Sequence, residues 1–293
     1  MTNGILMFAH NNREIDYIKM ASVCARFAKK NLGVPVTVVT DSSSVNWAFS
    51  QDPTIMEAFD NFILTDELKN TVNQDKRYYD GALTYKKTRF NNGFRSLCYE
   101  LSPYEKTLVI DTDLLIMNDK LKDIWDTDED FMINSHHFDL AQCRDTFEFE
   151  RTDDYGIDFY WATAFYFKKS KWTKSFFDLC QHIVENYDFY VFTYRIPWHL
   201  VRNDYVVSIA IHIMNGFSNR SKPSKLPCNI YYILDRDELY QINSKNELVF
   251  FVQKNNHLGE YTLTKTSTQT VHIMNKYSFN RNIPRMLEIL DGK

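Results

Sequence analysis

No stretch of this 293-residue chain approaches the roughly 20 uninterrupted apolar residues that a helical membrane span requires. The first residues run directly into Ile5-Leu6-Met7-Phe8-Ala9 without a basic region or a cleavage signal, so no secretory leader is expected. The expectation is a soluble, unexported protein of the cytoplasm. Cysteine is scarce and scattered: Cys24, Cys98, Cys143, Cys180 and Cys228 are odd in number and lack C-x-x-C spacing, which argues against zinc and dithiol frameworks and fits reduced core thiols. Neither an internal repeat nor a low-complexity tract is present. A formal net charge of -4 gives no global attraction to a polyanion, so any such partner would depend on a local basic patch.

What the chain does contain is a large apolar fraction, 44% hydrophobic and 15% aromatic, enough to bury the core of one large domain or two small ones. Strand-like runs alternate with amphipathic segments. Ile5 to Ala9 precedes a helix with Tyr17, Ala21, Cys24, Ala25 and Ala28 on one face, stopped by Gly33 and Pro35; Val36 to Val39 then reads as a buried strand ending at Asp41, and Phe62 to Leu64 as another. The spacing of Phe90, Phe94, Leu97, Cys98 and Leu101 predicts a second helix ending at Ser102-Pro103. Further strands are expected at Phe131 to Ile133, Ala162 to Phe167, Tyr231 to Ile233 and Leu248 to Val252. Helices are expected over Trp172 to Tyr187, as a core-facing aromatic stripe, and over Val206 to Met214, capped by Asn203 or Asp204. This order argues an α/β fold with a mostly parallel sheet covered on both faces, in which ligands bind beyond the carboxyl ends of strands. A boundary near residue 220 is weaker than a continuous domain with a C-terminal elaboration.

The segment richest in chemistry is Thr107-Leu108-Val109-Ile110-Asp111-Thr112-Asp113-Leu114-Leu115-Ile116, where two carboxylates interrupt an apolar run. Burying neighbouring unpaired carboxylates is costly, so the pair points to a hard divalent cation at a strand's end; the ordinary alternative is a turn-capping Asp. Other D-x-D pairs at Asp126/Asp128, Asp128/Asp130 and Asp235/Asp237 lie in polar stretches and read as solvated turns.

From Arg95 through Leu101, Ser102, Tyr104 and Lys106 to Ile110-Asp111-Thr112-Asp113-Leu114, and on through Asn118, Leu121 and Ile124-Trp125, the chain resembles the A-type glycosyltransferase (GT-A) fold. Within it, the likeness is to the family of glycogenin and the lipopolysaccharide galactosyl- and glucosyltransferases. The resemblance spans most of the chain in coarse order and is specific only in this segment. It implies a Rossmann-like mixed sheet flanked by helices, one domain over residues 1–293, with residues 220–293 as an elaboration carrying a metal-binding histidine. In that family two aspartates, here Asp111 and Asp113, hold Mn2+ (or Mg2+) against the diphosphate of a nucleotide sugar. Val271-His272-Ile273-Met274-Asn275-Lys276 resembles the element that supplies the third ligand, which nominates His272; its ordinary alternative is a hydrogen-bonded core histidine.

The same resemblance implies that Arg95 and Thr112 lie near the donor and its phosphates. It places Ala9, His10 and Asn11 in the nucleotide-base region, with Asp41 a further candidate there. Asp204, in Arg202-Asn203-Asp204-Tyr205, is similar to an acid beside the reacting sugar, the helix cap being its alternative. Two departures stand out. Asn275 and Ser278 replace the family's glycine and lysine, so Lys276 or Arg281 has to supply phosphate charge. Trp161-Ala162-Thr163-Ala164 replaces an Asn-Ser-Gly strand, which leaves the transferred sugar open.

The activity so implied is transfer of a sugar from a nucleoside diphosphate, uridine-linked by family inference, to an acceptor hydroxyl with retention of configuration. Two alternatives remain. One is a phage-type enzyme modifying a hydroxymethylated base in DNA through the basic stretches Tyr85 to Phe90 and Asn219 to Lys225; the other is a nucleotide-sugar-binding module without turnover.

Overall fold

The computed structural model describes residues 2–68, 72, 74–90, 94–142, 144, 149–152, 156–197, 200–218, 221–254 and 259–292. Its first half contains β1 (Asn3–Phe8), α1 (Tyr17–Leu32), β2 (Val36–Thr40), α2 (Ser42–Gln51), β3 (Asn61–Leu64), β4 (Gln74–Asp80), β5 (Thr84–Phe90), α3 (Cys98–Leu101), β6 (Lys106–Ile110), β7 (Leu114–Leu115), β8 (Phe131–Ile133) and β9 (Phe138–Asp139). The second half adds β10 (Ala164–Lys168), α4 (Lys171–Glu185), α5 (Tyr187–Tyr194), α6 (Asn203–Met214), β11 (Ile230–Ile233), β12 (Glu238–Ile242), β13 (Leu248–Gln253), β14 (Tyr261–Thr266), β15 (Thr270–Ile273) and α7 (Lys276–Leu290). Local chemistry sets several of these bounds. Asp16 caps α1 by accepting the Lys19 N–H, and Gly33 ends it at φ 71°, a left-handed conformation that suits a residue without Cβ.

The central sheet has the order β3-β2-β1-β6-β10-β8. β3, β2, β1 and β6 are parallel, while β10 runs antiparallel to both β6 and β8, giving a mostly parallel mixed sheet. Successive side chains enter two apolar cores. Ile5, Met7, Leu108, Ile110 and Tyr166 pack with residues of α1 and α7. Leu6, Val109, Phe165 and Phe167 pack on the other face with residues of α4, α5 and α6. Burial on both faces explains why these strands read as continuous apolar runs rather than alternating ones. Gly4 in β1 is required by close approach: a Cβ there would meet the Tyr104 ring at 2.3 Å.

A second sheet, β7-β15-β11-β9, takes over where β6 ends. β7 pairs antiparallel with β15, placing His272 opposite Leu114 and Val271 opposite Leu115, and β15 runs parallel to β11. Residues from the last quarter of the chain are thereby carried to the turn after β6. β12, β13 and β14 form an antiparallel sheet, and β4 with β5 forms a hairpin.

Several local expectations are corrected. Phe90 does not begin a helix: it ends β5, whose backbone pairs residue by residue with β4, and among the described residues between β5 and β6 only a 3-10 turn at Arg95–Leu97 and the single-turn α3 are helical. Tyr187 starts the separate helix α5, and Trp172 is 38% exposed rather than fully in the core stripe. The cap position of α6 is Arg202, with no side-chain cap, so neither Asn203 nor Asp204 fills it. Asp237 is fully buried, contrary to the solvated turn expected: Arg144 pairs with it and with Asp139, and backbone N–H groups of Leu234 and Gln253 donate to its carboxylate. Cys24, Cys98, Cys180 and Cys228 are free and buried as expected; Cys143, Asn219 and Arg220 lie outside the described residues.

Candidate functional site

The apolar run of β6 ends at Ile110, and the chain turns through Asp111-Thr112-Asp113 before entering β7. This turn stands at the carboxyl ends of β1 and β6 and beside the start of β10, where the Asp111 N–H donates to the Thr163 carbonyl at 2.9 Å. From the other side β15 arrives, and the Ile273 N–H donates to the Asp113 carbonyl at 2.9 Å. His272 is therefore set against Asp113 by strand pairing across the length of the chain. Its Nε2 lies 3.2 Å from Asp113 Oδ2 and its Nδ1 lies 3.3 Å from Thr163 Oγ1.

Each carboxylate has its own cation. The Arg95 guanidinium, buried rather than on a solvated helix face, donates to Asp111 and to the Ala162 carbonyl. The Lys276 ammonium, at the first residue of α7, pairs with Asp113. Lys276 is held there because the buried Asn275 side chain caps α7 through the Ser278 N–H and donates to the Asp237 carbonyl at 2.7 Å. Burial raises the Asp111 carboxyl above its ordinary value, and Asp113 adds to this while Arg95 opposes it. Burial would do the same to Asp113, which is only 2% exposed, but Lys276 and His272 outweigh it and hold that carboxyl well below the usual range.

Asp111, Asp113 and His272 offer ligand atoms that all lie within 4.8 Å of one another. Two carboxylate oxygens and an imidazole nitrogen suit Mn2+ or Mg2+ rather than a thiolate-seeking ion. Here Nε2–H donates to the Asp113 carboxylate; ligation would use the other tautomer, with Nδ1–H donated to Thr163 and the Nε2 lone pair turned to the cation. The residues present fit a hard divalent cation.

The other expected residues are distributed unevenly. Thr112 and His10 line the same cleft. His10 bonds Thr65 at 2.9 Å and stacks on Phe94, and burial keeps its imidazole below the ordinary value against the pull of Asp41 and Asp66. Ala9, Asn11 and Asp41 do not line the cleft: Asn11 binds the start of α1, and Asp41 caps α2 through Ser44. Asp204 lines the cleft, accepts the Ala162 N–H at 2.9 Å and pairs with Arg202 at 3.1 Å. Ala162 thus bridges Arg95 and Asp204, accepting from one through its carbonyl and donating to the other through its N–H. Arg281 does not reach the cleft lining; it pairs with Asp80 and Glu238.

Lys76, Arg77, Arg202 and Asp235 also line the cleft, and the sequence reading assigned them no role there. Trp161 forms part of the floor, backed by the buried ring of His137 stacked at 4.5 Å. Lys76 and Arg77 sit in a mostly polar strand, so no apolar period marked them.

No protein-family model matches the chain, and no curated protein matches it. Among solved structures it is similar to the galactosyltransferase LgtC in complex with donor and acceptor sugar analogs, at 13% identity and a TM-score of 0.43 over 70% of each chain. It is also similar to the glycosyltransferase GlyE of Streptococcus pneumoniae, at 12% identity and a TM-score of 0.42, over 77% of this chain and 45% of that one. A third similarity is to the PaToxG glycosyltransferase, at 11% identity and a TM-score of 0.38, over 73% of this chain and 69% of that one. The chain spans less than half the length of the GlyE structure.

Proposed function

We propose that this chain is a metal-dependent glycosyltransferase of the A type, which moves a sugar from a nucleoside diphosphate, uridine-linked, to an acceptor hydroxyl in the cytoplasm. On this reading residues 1–293 form one catalytic domain, with residues 220–293 as the elaboration that delivers His272. The observation that carries the proposal is the convergence of Asp111, Asp113 and His272 with Arg95 and Lys276, two acids and three basic groups gathered from distant parts of the chain at the ends of parallel strands. The resemblance of residues 95–125 and 271–276 to the glycogenin and lipopolysaccharide transferase family supports the same assignment.

Asp111, Asp113 and His272 would hold Mn2+ or Mg2+. When bound, the cation supplies Lewis-acid stabilisation to the departing diphosphate. Arg95 and Lys276, which pair with the two carboxylates, would donate to phosphate oxygens of the leaving group. Thr163 keeps the His272 ring oriented. Asp204 sits across the same cleft, and in a retaining reaction its carboxylate would stabilise the cation-like sugar while Arg202 and the Ala162 N–H hold it in place. The acceptor is a hydroxyl of a saccharide or protein.

The DNA reading has less support from the basic side chains than their sequence suggests. Lys86 pairs with Glu14, Lys87 and Arg89 lie near Asp75, and Lys222 pairs with Asp158. A panel of nucleotide sugars with manganese, run on the parent, D113A and H272A, tests the proposal. The parent is expected to cleave at least one donor, and each variant to lose about 3–4 kcal/mol of transition-state stabilisation, roughly a hundredfold to a thousandfold in rate. Tight donor binding with no cleavage anywhere in the panel would favour the binding module instead.

A further inference from the structure

The β4–β5 hairpin is braced over the cleft from three sides. Tyr17 of α1 bonds Tyr78 at 2.9 Å; Gln74 exchanges two hydrogen bonds of 2.9 Å with the Val201 backbone just before α6; Arg281 of α7 grips both carboxylate oxygens of Asp80 at 2.8 Å. The hairpin is fixed in the cleft wall by these contacts.

Between these braces Lys76 lines the cleft beside Asp113, Lys276 and Arg202. Its stem lies against the rings of Tyr78 and Phe90, with the ammonium 5.7 and 5.2 Å from their centroids. Among the described residues the ammonium has no hydrogen bond and no ion pair. Of the four acids that line the cleft, Asp111 is engaged by Arg95, Asp113 by Lys276 and His272, and Asp204 by Arg202, while Asp235 forms no ion pair with Lys76. Burial, with repulsion from Lys276 of α7 and Arg202 ahead of α6, lowers the Lys76 ammonium to about 8, and Asp235 beyond β11 and Asp113 offset this only in part. A cation held rigidly among other cations, with no acid in ion-pair contact, is arranged for an anion that arrives from outside.

We propose that Lys76 is a direct cationic contact to the diphosphate, reaching it from the hairpin as Lys276 reaches it from the start of α7. The identity of that diphosphate as the donor's rests on the function proposed above; the anion-binding role does not. Calorimetric titration of manganese-loaded protein with inorganic pyrophosphate, and separately with uridine diphosphate, tests it on the parent, K76M, K76R and K87M. Lys87 lies on the same hairpin, is exposed and does not line the cleft, so K87M measures the general field. K76M is expected to weaken both diphosphates by about tenfold to a hundredfold, the worth of one charge-assisted hydrogen bond, with K76R near the parent and K87M unchanged. Equal affinity in K76M and parent, equal losses in K76M and K87M, or no pyrophosphate binding by the parent would each overturn the inference. Pyrophosphate binding that depends on Lys76, in a protein that cleaves no nucleotide sugar, would keep this inference and remove the proposed donor. Donor cleavage with unchanged K76M binding would do the reverse.

Discussion

At the scale of single residues, the site is organised by how two buried carboxylates are neutralised. Asp113 has Lys276 and His272 against it, both largely buried, so deleting Lys276 strands a charge away from water. K276M is expected to lose about 3 kcal/mol or more of stability in chelator, and added manganese to raise its melting temperature more than the parent's, because the cation replaces the missing ammonium. Equal shifts in the two proteins would mean that no cation reaches these acids. Lys76 gives a second test through pH. Its charged form predominates below about 8 and is lost above it, so diphosphate affinity is expected to fall as pH rises through that value in the parent. K76R, whose guanidinium stays charged, should lack that component.

At the scale of elements, the site depends on two packing details. Asn275 both starts α7 and ties it to the backbone at Asp237, and it is fully buried. N275A is expected to cost about 1–2 kcal/mol in urea denaturation and to weaken manganese binding by releasing the start of α7. Gly4 accepts the Tyr104 ring against β1, so G4V should be destabilising by about 1–3 kcal/mol or should shift Tyr104 from Thr37, its partner at 2.7 Å. Elements with a clear apolar pattern, periodic in α1 and continuous in β2, were legible because burial wrote that pattern into the chain. The β4–β5 hairpin was not: its strands are mostly polar and give no apolar alternation, and Phe90 fell by coincidence at helical spacing from Phe94 and Leu97.

At the scale of the whole molecule, the fold turns sequence distance into proximity. Asp111 and Asp113 were readable because they are neighbours inside an apolar run, whereas Arg95 was nominated by resemblance. His272 and Lys276 were nominated by resemblance alone, since a pairing between β7 and β15 leaves no local trace. Asp237 was misread for a related reason: its polar surroundings in sequence hide a burial created by Arg144, 93 residues away. Among the described residues, no helix is long and apolar enough to cross a membrane. The most direct measurement is an anomalous difference map, recorded at the manganese edge from crystals soaked with Mn2+ and uridine diphosphate. The account predicts a peak enclosed by the carboxylates of Asp111 and Asp113 and by His272 Nε2, with the diphosphate on its open side and Lys276 turned towards phosphate. A peak elsewhere, or none while Lys276 and Arg95 still hold the two acids, would contradict it.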